Sequence, residues 1–425
     1  MTTAPPAPTR LARSGGKPRS RRFFHVGEGL GHAGSCVHGI ALPALAVLQL
    51  DTSPGQAALL ASAATFPELV VGLPTGVLIN RYPLRTVMIT TDLASAAIVL
   101  AIPASVLLDA LSLPLLYAIA LIAGSLATLH KAAAMAAVPL LADEDQLHRS
   151  NAQFTGVITT AGIIGRTLGT VLIALTGPAR TLVADAVSLV LSACCATRVK
   201  GLPAPAGARE VRRPMREEIH EGVEYTLNDP VLRPLVVALT ATSVGSALTM
   251  TLLPYHLLTT LKTGATGLGV VMAAGSVGGL IGALIAPRLV RRFGSGPVLA
   301  TGFGLHAVMQ IPLLLAVPGP AWLIVLIFAA CGQYATATVV GTTQRSVQQW
   351  HTPPELRTRV QQTARWLGTG TAPLAALATG ALATLTTVRT VMALGILVLI
   401  VSAGALCRSP VRALTSRDEA TGAAR

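Results

Sequence analysis

Charged side chains are scarce in this sequence. Asp, Glu, Lys and Arg make up 12% of its 425 residues, against about 25% in an ordinary soluble domain. That supply cannot cover a water-facing surface of this size. Aromatic residues reach only 4%, and Ala, Leu, Val and Gly dominate the apolar set. A soluble enzyme, a disordered chain and a disulfide-stapled domain are excluded on these grounds. The five cysteines (Cys36, Cys194, Cys195, Cys331 and Cys407) fall inside or at the ends of apolar runs. None has metal-ligand spacing, and they read as small buried hydrophobes. No Walker phosphate loop, His-Glu metal helix or nucleophile elbow occurs, which argues against an ATP-driven pump or an enzyme. No cofactor and no metal are expected.

What is present is length of apolar chain. Hydrophobic residues make up 52%, and mean hydropathy is +0.63. A bilayer core of about 30 Å needs roughly 20 apolar residues per helix. That yardstick marks twelve spans near residues 27–49, 56–79, 86–107, 112–138, 153–176, 180–199, 231–257, 266–289, 297–317, 321–344, 360–384 and 388–408. Asp51-Thr52-Ser53-Pro54-Gly55, Arg81-Tyr82-Pro83, Gly177-Pro178 and Val317-Pro318-Gly319-Pro320 punctuate them. The fold expected is an all-α polytopic membrane protein of twelve transmembrane helices in two pseudo-symmetric six-helix bundles.

The net charge of +14 would point to nucleic acid in a soluble chain. Here the basic residues track alternate loops, as cytoplasmic loops of membrane proteins do. With both termini cytoplasmic, the outside loops hold only Arg180, Lys262 and Arg389. The basic excess is therefore topology, and no nucleic-acid partner is expected. The chain divides into a basic N-tail (1–26), expected to be flexible, bundles at 27–199 and 231–408, a central cytoplasmic loop (200–230) and a C-tail (409–425). The loop is expected to turn helical at Arg216-Glu217-Glu218-Ile219-His220-Glu221-Gly222. Residues Gly72 to Ile79 and Gly278 to Ile285 both fit Gly-x3-Gly-x-Leu-Ile at the ends of spans 2 and 8. Two such halves in one orientation suggest a parallel duplication with substrate held between them. High Ala, Gly and Arg usage suggests a bacterial source, hence a bacterial inner or plasma membrane.

Several segments together carry a family likeness. They are Gly72-Leu-Pro-Thr-Gly76 to Asn80-Arg81-Tyr-Pro-Leu-Arg85, Thr91-Asp92-Leu93, Gly27-Glu28-Gly29-Leu30 to Ala41-Leu42-Pro43, Glu221-Gly222 to Asp229-Pro230-Val-Leu-Arg233, and Ala286-Pro287-Arg288 to Arg292-Phe-Gly294. In order and spacing the sequence resembles the major facilitator superfamily, and within it drug and siderophore exporters of the macrolide-efflux and enterobactin-exporter type. The resemblance implies alternating access, a small-molecule substrate, protons as coupling ion and a monomer in the lipid bilayer. It also implies an inner gate at Asn80, Arg81, Arg85 and Asp92, closed from span 11 by Arg365. Two departures stand out. Asn80 and Pro83 replace the family's usual Asp and Gly, and Arg166 and Thr170 replace Pro and Gly in the span 5 signature.

A charge at mid-bilayer costs about 2.5–3.5 kcal/mol or more and usually faces water or a partner. Glu68 and Arg166, both near mid-depth, are expected to form a coupling pair, the alternative being a static ion pair. His130 and Lys131 in span 4 follow, with Lys131 binding an anionic group, pairing with Glu28 or snorkelling to the interface. Glu28 reads as a proton site or a solvated rim residue at the end of span 1. Asp92 is expected to latch onto Arg81 or Arg85. Gln333 is a candidate substrate donor, His306 an interhelical donor and Asp185 a peripheral structural acid. Asp143-Glu144-Asp145 reads as capping and gate contacts beside His148 and Arg149. Gly72, Gly76, Gly165, Gly169, Gly278 and Gly282 read as helix-packing positions. The leading expectation is a proton-coupled exporter of a small amphipathic compound. An importer or facilitator of the same fold and a transport-inactive sensor or scaffold are the alternatives.

Overall fold

A computed structural model describes residues 18–70, 82–141, 147–200, 202, 223–353 and 356–414. Among the described residues, twelve principal helices follow the order of the expected spans. They are α1 (Pro18–Gln49), α2 (Pro54–Val70), α3 (Leu84–Leu107), α4 (Leu113–Leu140), α5 (Leu147–Thr176) and α6 (Pro178–Arg198), then α7 (Leu232–Met250), α8 (Gly264–Phe293), α9 (Ser295–Val308), α10 (Pro320–His351), α11 (Arg357–Leu385) and α12 (Val388–Cys407). Shorter helical pieces extend α7 through Thr260 and α9 through Leu315. Ten of these helices are long and apolar enough to cross a bilayer. The described part of α2 has 17 residues, and α11 has its apolar stretch at Gly370–Leu385.

Helices are the form such a sequence must take in lipid, where each backbone N–H and C=O needs a partner within its own segment. Proline is tolerated inside α1 (Pro43), α3 (Pro103), α8 (Pro287) and α11 (Pro373). The tight joints use conformations that glycine adopts freely: Gly177 has φ +80° and Gly319 φ +148°, each directly before a helix-opening proline. Large apolar side chains such as Leu107, Leu175, Phe328 and Leu385 stand exposed, as lipid-facing positions do.

Packing repeats between the two halves. In the first half, α1 lies on α5 and α6, α3 on α4 and α6, and α2 on α4. In the second half, α7 lies on α11 and α12, α9 on α10 and α12, and α8 on α10. Each pairing recurs six helices later. The halves meet along α5–α8 and α2–α11, themselves exchanged by the same shift. Small residues set the close approaches. A Cβ on Gly278 would stand 1.9 Å from the Cys331 carbonyl oxygen, and one on Gly282 2.3 Å from that of Ala335. Likewise a Cβ on Gly165 would stand 2.3 Å from the Ala33 carbonyl oxygen, and one on Gly169 3.1 Å from Val37 Cα. Gly72 and Gly76 lie outside the described residues.

The buried apolar clusters divide by depth. One cluster joins both halves at the end of the bundle remote from the termini: Leu45, Ile102, Leu116 and Leu182 from the first half, with Leu257, Leu268, Leu313 and Val391 from the second. At the end bearing the termini, Phe24, Val87, Met88 and Ala137 form a cluster within the first half. Leu235, Leu299, Val347 and Leu406 form another within the second. Among the described residues, then, the halves are sealed together at the remote end and have separate cores at the terminal end.

Two expectations need correction. Helix α1 starts at Pro18, inside the tail expected at 1–26; Phe24 is buried and stacks on Phe154 at 5.8 Å, which anchors the added turns. Of the cysteines, only Cys36 is buried, whereas Cys194 and Cys407 are exposed, because they fall on the outward faces of α6 and α12. In the central loop, residues 216–222 lie outside the described residues, and a short helical turn follows at 223–228.

Candidate functional site

The polar side chains of the first half gather into two neighbouring groups. The inner group is buried where α1, α3 and α4 meet. His130 places Nε2 3.1 Å from Glu28 Oε1 and Nδ1 2.9 Å from Asp92 Oδ1. Glu28 and Asp92 are 7% and 2% exposed. Thr91 Oγ1 lies 3.3 Å from His130 Nδ1 and donates to the Val87 carbonyl. Asp92 Oδ2 is buried without a hydrogen-bond partner among the described residues.

The chemistry of this group follows from donor counting. A neutral imidazole carries one N–H, so it satisfies one carboxylate and leaves the other without a donor. The doubly protonated ring carries two and satisfies both. One proton therefore decides whether α1 and α3 are both tied to α4.

The second group is more exposed. Lys131 Nζ donates to Glu68 Oε1 at 2.6 Å, joining α4 to α2, with side chains 55% and 39% exposed. Consecutive helix residues differ by about 100° in direction. His130 therefore turns into the bundle, with its side chain 17% exposed, while that of Lys131 turns out of it at 55%. Arg166, midway along α5, donates from Nη1 to Ser276 Oγ on α8 at 2.7 Å. That contact lies about one turn below the place where Thr170 meets Gly269. His32 of α1 stands beside Arg166: a Cβ on Gly162 would be 3.5 Å from His32 Nε2 and 3.6 Å from Arg166 Nη1.

These contacts redraw the expected pairs. Glu68 pairs with Lys131, not with Arg166, because helix rotation brings α4 rather than α5 to its face. Asp92 pairs with His130 rather than with Arg85, which donates instead to the Thr197 carbonyl at the C-terminal end of α6. Glu28 is neither a solvated rim residue nor bound to Lys131. Arg81, Asn80 and Asp143-Glu144-Asp145 lie outside the described residues, as do the side chains of His148, Arg149 and Arg365. Asp185 accepts from His38 Nδ1 at 3.0 Å across α1 and α6. His32 and His38 were not anticipated, although both stand as isolated polar residues in an apolar run.

The second half answers with a group that holds no Asp, Glu, Lys or Arg, at the equivalent helices α7, α9 and α10. His306 Nδ1 lies 3.2 Å from the Gln333 carbonyl oxygen, and its Nε2 lies 3.3 Å from Ser246 Oγ and 3.2 Å from Gln310 Nε2. Thr249 donates to Gln310, and Gln333 Nε2 to Met250 Sδ at 3.6 Å. A small cavity of about 20 Å³ beside it is lined by Met250, Met272, Met309, Gln310, Gln333 and Tyr334 among others. This is room for one water. His306 thus works as an interhelical donor, and Gln333 as part of an internal network.

Known proteins share this fold. The chain is 28% identical over 359 residues to the multidrug efflux pump Tap of Mycolicibacterium fortuitum, covering 83% of this chain and 86% of that one. It is 29% identical over 297 residues to Tap of Mycobacterium tuberculosis (strain ATCC 25618 / H37Rv), covering 66% and 70%. Among solved structures it is similar to a bacterial homologue of the iron transporter ferroportin in its inward-facing state, with TM-score 0.72, 15% identity and coverage of 92% and 98%. It is also similar to the nucleoside transporter NupG, with TM-score 0.69, 12% identity and coverage of 91% and 98%. The sequence profile of the Major Facilitator Superfamily matches residues 30–364, and this chain, a multi-pass membrane transporter, belongs to that family.

Proposed function

We propose that this protein is a proton-coupled exporter of small amphipathic organic compounds, working by alternating access in a bacterial cell membrane with both termini cytoplasmic. The observation that carries the reading is His130 held between two buried carboxylates, Glu28 and Asp92, on three different helices. A proton gained or lost there changes the number of ties between α1, α3 and α4. A site that distinguishes helix arrangements by one proton is what coupling to a proton gradient requires. With the termini cytoplasmic, the remote end, where one apolar cluster joins both halves, is the external gate. The likeness to Tap, a multidrug efflux pump in two mycobacterial relatives, supports export as the direction. The protein is taken to act as a monomer.

The test is uptake of fluorescent drugs into inverted membrane vesicles, with and without an imposed pH gradient. Uptake that requires an acidic lumen and fails in His130→Gln supports the proposal. Uptake independent of the gradient, and unchanged in that variant, assigns the protein to facilitated diffusion instead.

A further inference from the structure

The charges within the first half do not balance locally, and the imbalance has an address. Each acid described inside its spans is engaged by a base: Glu28 and Asp92 by His130, Glu68 by Lys131 and Asp185 by His38. Arg166 is the exception among the intramembrane cations. Among the described residues it has no carboxylate within 4 Å, and its recorded side-chain partner is the neutral hydroxyl of Ser276 at 2.7 Å. A guanidinium has five N–H donors and is always charged. At mid-bilayer such a cation needs an opposite charge or water to offset its lost hydration.

Position narrows the choice. Arg166 and Ser276 face each other across the two halves, just below the α5–α8 contact that helps seal the remote end. They lie on the terminal side of that contact, with His32 of α1 beside Arg166. A molecule entering from the terminal end would meet the Lys131–Glu68 pair first and the unneutralised guanidinium last. Apolar residues above that point stop it there. This geometry fits an amphipathic molecule whose anionic head lies deep, against Arg166. A planar, forked donor also matches the two oxygens of a carboxylate or sulfonate.

We infer that the compounds carried are organic acids, and that Arg166 of α5 is the residue that binds their anionic group. The inference rests on the proposed transport reading and deepens it by naming the substrate class.

Two xanthene dyes test it, anionic fluorescein and cationic rhodamine 6G. Binding to the purified protein in lipid nanodiscs is followed by fluorescence anisotropy, and uptake by inverted vesicles under a pH gradient. Fluorescein is expected to bind at least about tenfold more tightly than rhodamine 6G. Arg166→Gln is expected to abolish that preference, and Arg166→Lys, which keeps the charge, to retain part of it. The binding arm reads the anchor without any gradient. Fluorescein binding that depends on Arg166, without gradient-driven uptake, upholds the inference and refutes proton coupling. Gradient-driven uptake of rhodamine 6G in preference to fluorescein upholds coupling and overturns the inference. Equal fluorescein affinity in wild type and Arg166→Gln also overturns it. Should Arg166→Gln fail to insert, the comparison of wild type with Arg166→Lys and the dye preference of the wild type decide the question.

Discussion

His130 Nδ1 and Asp92 Oδ1 lie 2.9 Å apart, fastening α4 to α3 inside the first bundle, while the other ring nitrogen reaches Glu28 on α1. Removing one member of a buried charged group leaves the rest uncompensated, typically at a cost of about 3–5 kcal/mol. Glu28→Gln keeps shape and a polar atom but removes a proton acceptor. It is expected to insert normally and to lose substrate-driven proton movement by at least about tenfold. A pH-sensitive dye sealed in proteoliposomes reads this directly, and proton movement at the wild-type rate would remove Glu28 from the coupling site.

Lys131 and Glu68 are a different kind of pair. Half-exposed ion pairs contribute roughly 0–1 kcal/mol to stability, so Glu68→Gln is expected to shift the unfolding midpoint in detergent little. Transport should nevertheless fall, because the change leaves the Lys131 ammonium without the counter-charge that joins α4 to α2. The exchange Glu68→Lys with Lys131→Glu restores the pair and is expected to recover transport in part. Full activity in Glu68→Gln alone would show that the pair only braces α2 against α4.

Steric contact makes a sharper prediction at α8. A side chain on Gly278 would enter the Cys331 carbonyl, whereas a Cβ on its neighbour Gly279 meets nothing closer than 3.6 Å. Gly278→Ala is expected to destabilise by about 1–3 kcal/mol through forced separation of α8 and α10. Gly279→Ala should leave thermal stability within about 0.5 kcal/mol. Equal melting temperatures for the two variants would show that the α8–α10 contact yields easily.

The sealed and open ends predict labelling. With native cysteines replaced, including the exposed Cys194 and Cys407, a cysteine at Lys131 is expected to react with a membrane-impermeant maleimide from the terminal side. A cysteine at Val271, which is 4% exposed in the shared cluster at the remote end, should resist the reagent from both sides in the resting protein. Labelling at Val271 from the far side in the absence of substrate would mean that the resting state is the opposite one.

The sequence carried the helices but not their rotation. Span positions follow from the length of apolar runs and from joints such as Gly177-Pro178, and a bilayer of fixed thickness leaves little latitude there. Charge and depth along the chain alone would pair Glu68 with Arg166. Depth is readable along a chain, whereas the direction a residue faces depends on how neighbouring helices pack. That direction gave Glu68 to Lys131 and Asp92 to His130. His32 and His38 were missed for a related reason. A histidine in an apolar run signals nothing until its neighbours are known, here Arg166 and Asp185.

Because His130 and Lys131 are successive residues of one rigid helix, no roll of α4 about its axis can alter one environment and spare the other. A turn that loosens the imidazole from Asp92 also swings the ammonium against Glu68. Whatever moves the imidazole is thereby geared to the Lys131–Glu68 pair, without any relay of intervening side chains.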